Sequence, residues 1–398
     1  MWLAYNRPGP VRRFVLEYFL NDLQKTVKQT ARTIAEERIL PLRAELDEKE
    51  EFPRSIMKDL AASDLLGVFI PEEYGGLGGG CFELWLVIEE LSRVCAGVAT
   101  SYAVNSLGSL TLLEYGSQQQ KQKYLPDIAS GRKLAAFAIT EEAAGSDASA
   151  IKTTATRTDD GYLINGCKQF ITNGGEAELY TVIALTDKAR GIRGASAFLV
   201  EKGSPGFSFG REEKKMGIRA SVTRELIFED CLIPEENIIG REGMGFAMAL
   251  RLFNRSRPGI GAQALGLAQG ALDAALDYAK KRIQFGQPIV SFQAVQHMLA
   301  NMAIDVEAAR ALIYSVARTI DSGAKNFAME SAMTKVFASD VAMRVTTDAV
   351  QIFGGAGYMR DYPVEKMMRD AKITQIYEGT NQILRSVIAS GLRKKKAF

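Results

Sequence analysis

The feature that most restricts what this sequence can fold into is a change of period partway along it. Up to about Arg132 apolar residues recur every three or four positions, as on one face of a helix. Leu23, Val27, Ala31, Ile34 and Ala35 set that pattern, with Asn21 as its N-cap and Pro41 as a break. Further helices are expected over 54–65, 82–96, 101–114 and 117–128. From Lys133 the pattern shortens. LAAFAI (134–139), TTATRT (153–158), LYTVIAL (179–185), ASAFLV (195–200) and RELIFE (224–229) are β-rich runs divided by Gly, Asp and Asn. They suit a small antiparallel β-domain closing near Pro234. From about Gly243 helix returns: Ile304, Ala308, Leu312, Val316 and Ile320 step by four, and 262–282 is a small-residue amphipathic helix, as bundle packing requires. The expectation is an α+β multidomain chain. It has a flexible extension over 1–15, an N-terminal all-α domain over 16–132, a middle β-domain over 133–242 and a C-terminal four-helix bundle over 243–398. For 398 residues, a prior of roughly 150 per domain allows two or three such units.

Composition removes several functions. Lys and Arg number 49 against 47 Asp and Glu, for a net charge of +2, so no field draws the whole chain to nucleic acid or a membrane surface. The basic run 393–396 reads as a solvated chain end. Cys81, Cys95, Cys167 and Cys231 show no CxxC spacing and read as buried thiols in a reducing compartment. The single histidine, His297, lies in a helical run, and no GxSxG elbow accompanies it. No metal role is assigned. No apolar run nears the roughly 18 residues that span a bilayer, and the opening residues lack the apolar core of a secretory signal. The chain therefore reads as soluble and cytoplasmic, with the mitochondrial matrix as the alternative. The string GGLGGG (75–80) lacks GxxxxGK[ST] and GxGxxG, and reads as a loop.

One stretch stands out chemically. ITQIYEGTNQILR (373–385) sets Glu378 beside Tyr377 and Gly379, with Thr380 and Gln382 following, in an apolar, β-branched setting. A desolvated carboxylate there is a base of raised pKa. A surface acid at a helix start looks the same.

Four other motifs decide between those readings. FAITEEAAGSD (137–147) joins small residues to Ser and Asp in a turn. KQFITNGG (168–175) is a strand ending in an Asn-Gly turn, for which a hairpin is expected. RIQFGQPIVSFQ (282–293) joins two long helices. QIFGGAGYMRDYPVEKMMRD (351–370) is the fourth. Together with the helix–β–helix order, these motifs closely resemble the acyl-CoA dehydrogenase family of flavoenzymes, over about 20–392.

The resemblance implies FAD as cofactor and an acyl-CoA as substrate. It implies flavin contacts at Phe137, Ile139, Thr140 and Ser146, with Ser146 also near the acyl-CoA, and at Phe170, Ile171 and Thr172. Phe170 stands where relatives often carry Trp, which keeps an apolar wall. Arg282, Phe285 and Gln293 are implied to reach the FAD of a neighbouring subunit, where a guanidinium suits a diphosphate. Gln351, Gly354 and Gly355 are implied on its adenosine side, and Thr380 and Gln382 at a helix start facing FAD. Glu378 matches the catalytic base, and Tyr377, Glu378 and Gly379 would line the substrate. Some relatives carry the base on the helix of RLFNRSR (251–257), where this chain has Ser256. Asn254 and Arg257 match an Asp and Arg that contact acyl-CoA, with Asn replacing the usual Asp. Ala103 belongs to the stretch TSYAVNSLGS (100–109) that forms part of the acyl pocket floor; Ser101, Tyr102, Ala103 and Val104 imply an uncharged acyl group.

The implied reaction is α,β-dehydrogenation, with Glu378 taking the α-proton and the flavin the hydride. A homotetramer, a dimer of dimers with FAD sites shared between subunits, is implied, as is an electron-transfer flavoprotein as acceptor. The alternatives are an enoyl-CoA reductase running in reverse, an oxidase of small nitro compounds, against which Glu378 counts, and a non-catalytic helical acyl-CoA or flavin-binding protein.

Overall fold

The computed structural model describes residues 18–394; the extension over 1–15 and the tail beyond Lys394 lie outside the described residues. The order helix, sheet, helix holds. α1 (Asp22–Ile34) starts where expected: the Asn21 side chain accepts from the Gln24 backbone N–H at 2.8 Å, and the Gln24 side chain returns the bond. One wide turn (Ala35–Ile39) precedes Pro41, after which α2 (Arg43–Lys49) and α3 (Arg54–Ala62) follow. α4 (Cys81–Ser92) is buried along its whole length, because α1, α5 (Ala96–Tyr115), α7 (Gly245–Lys281) and α8 (Gln293–Asp321) all pack on it. Its leading amides are satisfied by carboxylates: Asp321 accepts from the Cys81 and Phe82 N–H groups at 2.9 and 2.8 Å. The glycine-rich string before it is thus a loop. A Cβ on Gly76 would fall 2.0 Å from the Ile70 carbonyl oxygen, so no other residue fits there.

α6 (Gln118–Ala129) leads into an eight-stranded sheet made by β1 (Ala135–Ala138), β2 (Thr154–Thr158), β3 (Gly161–Thr172), β4 (Leu179–Leu185), β5 (Ala195–Glu201), β6 (Phe207–Glu212), β7 (Thr223–Ile233) and β8 (Ile238–Ile239). The order is β6-β7-β3-β2-β4-β5-β8, with β1 beside β4. Most pairs are antiparallel, but β1 and β2 run parallel to β4. The strands end at Ile239, past Pro234. The hairpin expected at KQFITNGG does not form: β3 pairs with β2 and β7, and never with β4. Instead Asn173 adopts φ 60°, its side chain donates to the Ser101 carbonyl at 3.0 Å and its backbone N–H to Val222 at 3.0 Å. Those bonds tie the turn to α5 and to Val222, and the chain then enters β4, which lies beyond β2 in the sheet. α5 itself lies on β1 so closely that a Cβ on Gly108 would meet the Ala136 nitrogen at 2.5 Å.

After the sheet, α7 runs 37 residues, about 55 Å at the helical rise. A small hairpin of β9 (Ile283–Gln284) and β10 (Gln287–Pro288) returns the chain into α8, then α9 (Ala328–Phe353), α10 (Val364–Ile373) and α11 (Asn381–Lys394). α9 is the hub, packed on α7, α8, α10 and α11. The expected stripe on α8 needs correction: Ile304 and Ala308 are exposed, and the buried side is Leu299, Met302, Val306, Ala309, Ile313, Val316 and Ile320. Steps of four advance about 40° beyond a full turn each time, so such a stripe walks off the packed face. Cys167 is also exposed, unlike the other three thiols. Among the described residues no helix is long and apolar enough to cross a membrane.

Candidate active site

A cavity of about 440 Å³ opens where the sheet, α5, α7 and the turn before α11 meet. Pro258 is built into α7 at this point, and a proline cannot bond the carbonyl four residues back. That carbonyl, on Asn254, instead accepts from the Ser331 hydroxyl of α9 at 2.6 Å. The stretch carrying Ser256 and Arg257 is thereby fixed beside the turn over 374–380.

In that turn Glu378 has φ 57° and Gly379 φ 99°. A left-handed glutamate is uncommon. It is held from two helices: the Arg257 guanidinium donates to the Glu378 carbonyl at 3.1 Å, and the Lys335 ammonium of α9 donates to the Gly379 carbonyl at 2.8 Å. The Glu378 carboxylate lines the cavity and accepts the Ser256 hydroxyl at 2.6 Å. Burial raises its pKa above the usual carboxylate value; the Ser256 hydroxyl and the Arg257 and Lys335 charges pull the other way and do not cancel it. Tyr377 turns inward and donates to Gln263, whose amide holds the Thr100 hydroxyl at 2.7 Å.

The cavity brings together Phe137, Ile139, Thr140, Ser146, Phe170, Ile171, Thr172, Ala103, Arg257, Tyr377, Glu378 and Gly379. Phe170 is 61% exposed at φ 57°, a bare aromatic face in a strained conformation. The Ile139–Glu141 segment is tied to β3 by Lys168, fully buried, which donates to the Ile139 carbonyl at 3.2 Å and to Glu141 at 2.6 Å. Burial brings that lysine down to about 8 even with its partner. Apolar walls from Phe137, Ile139, Phe170 and Ile171, with the Thr140 and Thr172 hydroxyls, fit a planar ring such as a flavin.

Other expected residues fall elsewhere. Asn254 bonds Arg257 at 3.0 Å but borders a separate groove. Thr380 caps α11 by accepting from the Ile383 N–H at 3.3 Å, and Gln382 is exposed; neither lines the cavity. Arg282, Phe285, Gln293, Gln351, Gly354 and Gly355 also lie off it, and all are exposed, Phe285 by 93%. Ser101 and Tyr102 point away: the Tyr102 hydroxyl donates to the Leu65 carbonyl at 2.8 Å. The pocket wall from that stretch is Ala103, Val104, Ser106 and Leu107.

Sequence reasoning missed three participants. One is the Ser256 bond to Glu378; another is Lys335. The third is an inner chamber of about 40 Å³ that shares Glu378, Ala103, Val104, Leu107 and Ile260 with the cavity and is closed by Trp85, Leu110 and Gly259. Arg255 reaches its wall but is paired with Glu114.

Family profiles agree with this arrangement along most of the chain. The acyl-CoA dehydrogenase N-terminal, middle and C-terminal domains match residues 21–132, 136–231 and 243–393. A probable acyl-CoA dehydrogenase of Mycobacterium tuberculosis is 51% identical, covering 92% of this chain and 94% of its own. An acryloyl-CoA reductase (NADH) of Anaerotignum propionicum is 45% identical over 96% and 97%. The structure of butyryl-CoA dehydrogenase from Megasphaera elsdenii superposes with a TM-score of 0.93 at 44% identity, covering 95% of this chain and all of that one.

Proposed function

The chain belongs to the acyl-CoA dehydrogenase family, and from that premise we propose that it desaturates a short, uncharged acyl-CoA between Cα and Cβ with Glu378 as the base. It is an FAD-dependent oxidoreductase acting on acyl-CoA. The observation that carries the reading is that Glu378 lines both the cavity and the inner chamber. A thioester in the cavity with its acyl tail directed to the chamber would lie beside it.

Bound FAD supplies the hydride acceptor. The protein supplies the rest. Burial makes Glu378 a stronger base, and Ser256 orients its carboxylate. The Glu378 backbone N–H is the proposed donor to the thioester carbonyl, which makes the α-proton more acidic. Arg257, anchored on Asn254 and the Glu378 carbonyl, is proposed to meet the acyl-CoA. The chamber holds only a few methylene groups and its one wall cation is neutralised by Glu114, which supports a short acyl group without a second carboxylate.

Two partners belong to the same reading. The exposed set Arg282, Phe285, Gln293, Gln351, Gly354 and Gly355 is available to a second copy, which supports FAD sites shared within a homotetramer. An electron-transfer flavoprotein is the proposed acceptor. A second reading, reduction of an enoyl-CoA, is favoured by the acryloyl-CoA reductase relative, since the same base and donors serve both directions.

The test is anaerobic bleaching of the flavin across acyl-CoAs of four to twelve carbons, straight and branched, with the matching enoyl-CoAs added to reduced enzyme. Butyryl- and hexanoyl-CoA are expected to bleach fastest. Purified protein that takes up no FAD, or flavin that no acyl-CoA bleaches and no enoyl-CoA reoxidises, would refute the proposal.

A further inference from the structure

Lys335 is a lysine with no solvent access, in the middle of α9, and among the described residues its ammonium is bonded to neutral oxygens rather than to a carboxylate. Lysine is almost never buried so completely without a task. Its ammonium makes two bonds, to the Gly379 carbonyl at 2.8 Å and to the Asn381 side-chain oxygen at 3.0 Å. Both acceptors belong to the segment carrying the base. Asn381 is in turn fixed by Ser339 at 2.9 Å and by Asp340 at 2.9 Å, and Asp340 also accepts from Gln375 at 2.7 Å, at the other end of the turn. One face of α9 therefore grips the turn on both sides of Glu378.

We propose that Lys335 is a positioning residue for the base: its ammonium clamps the Gly379 carbonyl so that Glu378 keeps the left-handed conformation aiming its carboxylate into the cavity, and its charge stabilises that carboxylate. This rests on the dehydrogenase reading above. The charged groups facing Lys335 are Glu378 in the turn, Arg257 on α7 and Asp340 on α9 itself. Burial lowers its pKa to about 7, with Glu378 and Asp340 raising and Arg257 lowering it, so its charge is sensitive to that of the base. A plain packing role needs no charge, and a Met of the same length would fill it.

The experiment compares wild type with Lys335→Met, Lys335→Gln and Lys335→Arg as FAD-loaded enzymes. It measures flavin content, melting temperature, acyl-CoA dissociation constant, and the bleaching rate constant as a function of pH. Displacing a base by about 1 Å costs on the order of 10²-fold. Lys335→Met should lose about that much in bleaching rate with acyl-CoA affinity within threefold of wild type. Its acid limb should move to higher pH, because a cation that favoured the carboxylate is gone. Lys335→Gln, which keeps a donor for Gly379 and is also the substitute if the Met variant does not fold, should recover much of the rate and keep the shifted limb. Lys335→Arg should return the limb toward wild type. A Met or Gln variant whose limb stays where it was, whatever its melting temperature, overturns the proposal. Wild-type flavin unresponsive to every acyl-CoA defeats the dehydrogenase reading instead.

Discussion

Removing one hydroxyl should retune the base. Ser256→Ala deletes the donor lying 2.6 Å from the Glu378 carboxylate and leaves Arg257 and Lys335 in place. A hydrogen bond to an ionised group contributes about 1.5–3 kcal/mol. At about 1.36 kcal/mol per pKa unit, that is one to two units of preference for the charged form. A water entering the space left by the hydroxyl restores part of it, so the expected change is about one unit. The sign follows from the proton. Ser256 favours the carboxylate, so its loss raises the pKa of Glu378, and the base becomes available only at higher pH. The assay is single-turnover flavin bleaching by butyryl-CoA between pH 5 and 9, plotted as the rate constant over the dissociation constant. The acid limb should move up by about one unit, with the plateau above it within a few-fold of wild type. Ser256→Thr, which keeps a hydroxyl, should leave the limb in place. An unmoved limb in the Ala variant, or one displaced to lower pH, would refute the reasoning.

Three further outcomes are expected. Glu378→Gln should keep FAD but lose roughly 10²- to 10⁴-fold in bleaching. It should also melt higher at pH 8: a carboxyl with a raised folded-state pKa contributes stability below its unfolded value of 4.5 that is lost as pH rises through the folded value, and a neutral amide has nothing to lose. The two melting temperatures should converge near pH 4. Gly259→Ala places a Cβ 3.3 Å from the Trp85 indole nitrogen and 3.7 Å from Ile88, narrowing the inner chamber. One methylene in such a pocket is worth about 10-fold or more, so kcat/KM for hexanoyl-CoA should fall by about that factor relative to butyryl-CoA. Arg282→Ala should weaken FAD retention by about 10-fold or more, the value of one charge-assisted bond, with the fold intact by circular dichroism; unchanged FAD affinity removes the cross-subunit role.

The sequence announced the elements better than it announced their company. Asn21, Pro41 and the change of period at Lys133 are local signals, and the helices and strands followed them. The absent hairpin after β3 shows the limit: Asn173 and Gly174 look like a hairpin turn locally, but long-range bonds to Ser101 and Val222 decide where the chain goes. The same holds within the site. Glu378 stood out because of the apolar residues around it in sequence. Ser256 lies 122 positions earlier, and Lys335 43 positions earlier, on different helices, and no spacing relates them to it. A partial signal did exist for Lys335: a lysine inside an otherwise small and apolar helical run, SAMTKVFAS, is out of place on a buried face. Trp85 and Gly259 carry no such signal, because a chamber is defined by what several helices leave unfilled.

Position and acidity of the base are set by the same groups. A non-glycine residue in the left-handed region costs on the order of 1–3 kcal/mol, and the neighbouring Gly379 adds a flexible link that the unfolded chain is free to use. The bonds from Arg257 and Lys335 to two successive carbonyls offset that cost, and both donors are cations. Neutral donors could have held the turn equally well in geometry. They would have left only the Ser256 hydroxyl to oppose burial, which favours the protonated form that cannot accept a proton. With two cations and the Ser256 hydroxyl, the desolvated carboxylate is kept ionisable while its pKa stays raised enough for it to act as a base. Leu384 of α11 is fully buried and packs under the turn, 3.1 Å from where a Cβ on Gly379 would lie. A substitution that loosens the turn by removing either cation must therefore also displace the pH profile, whereas one that loosens it through packing, at Leu384 for example, should slow the reaction and leave the profile where it is.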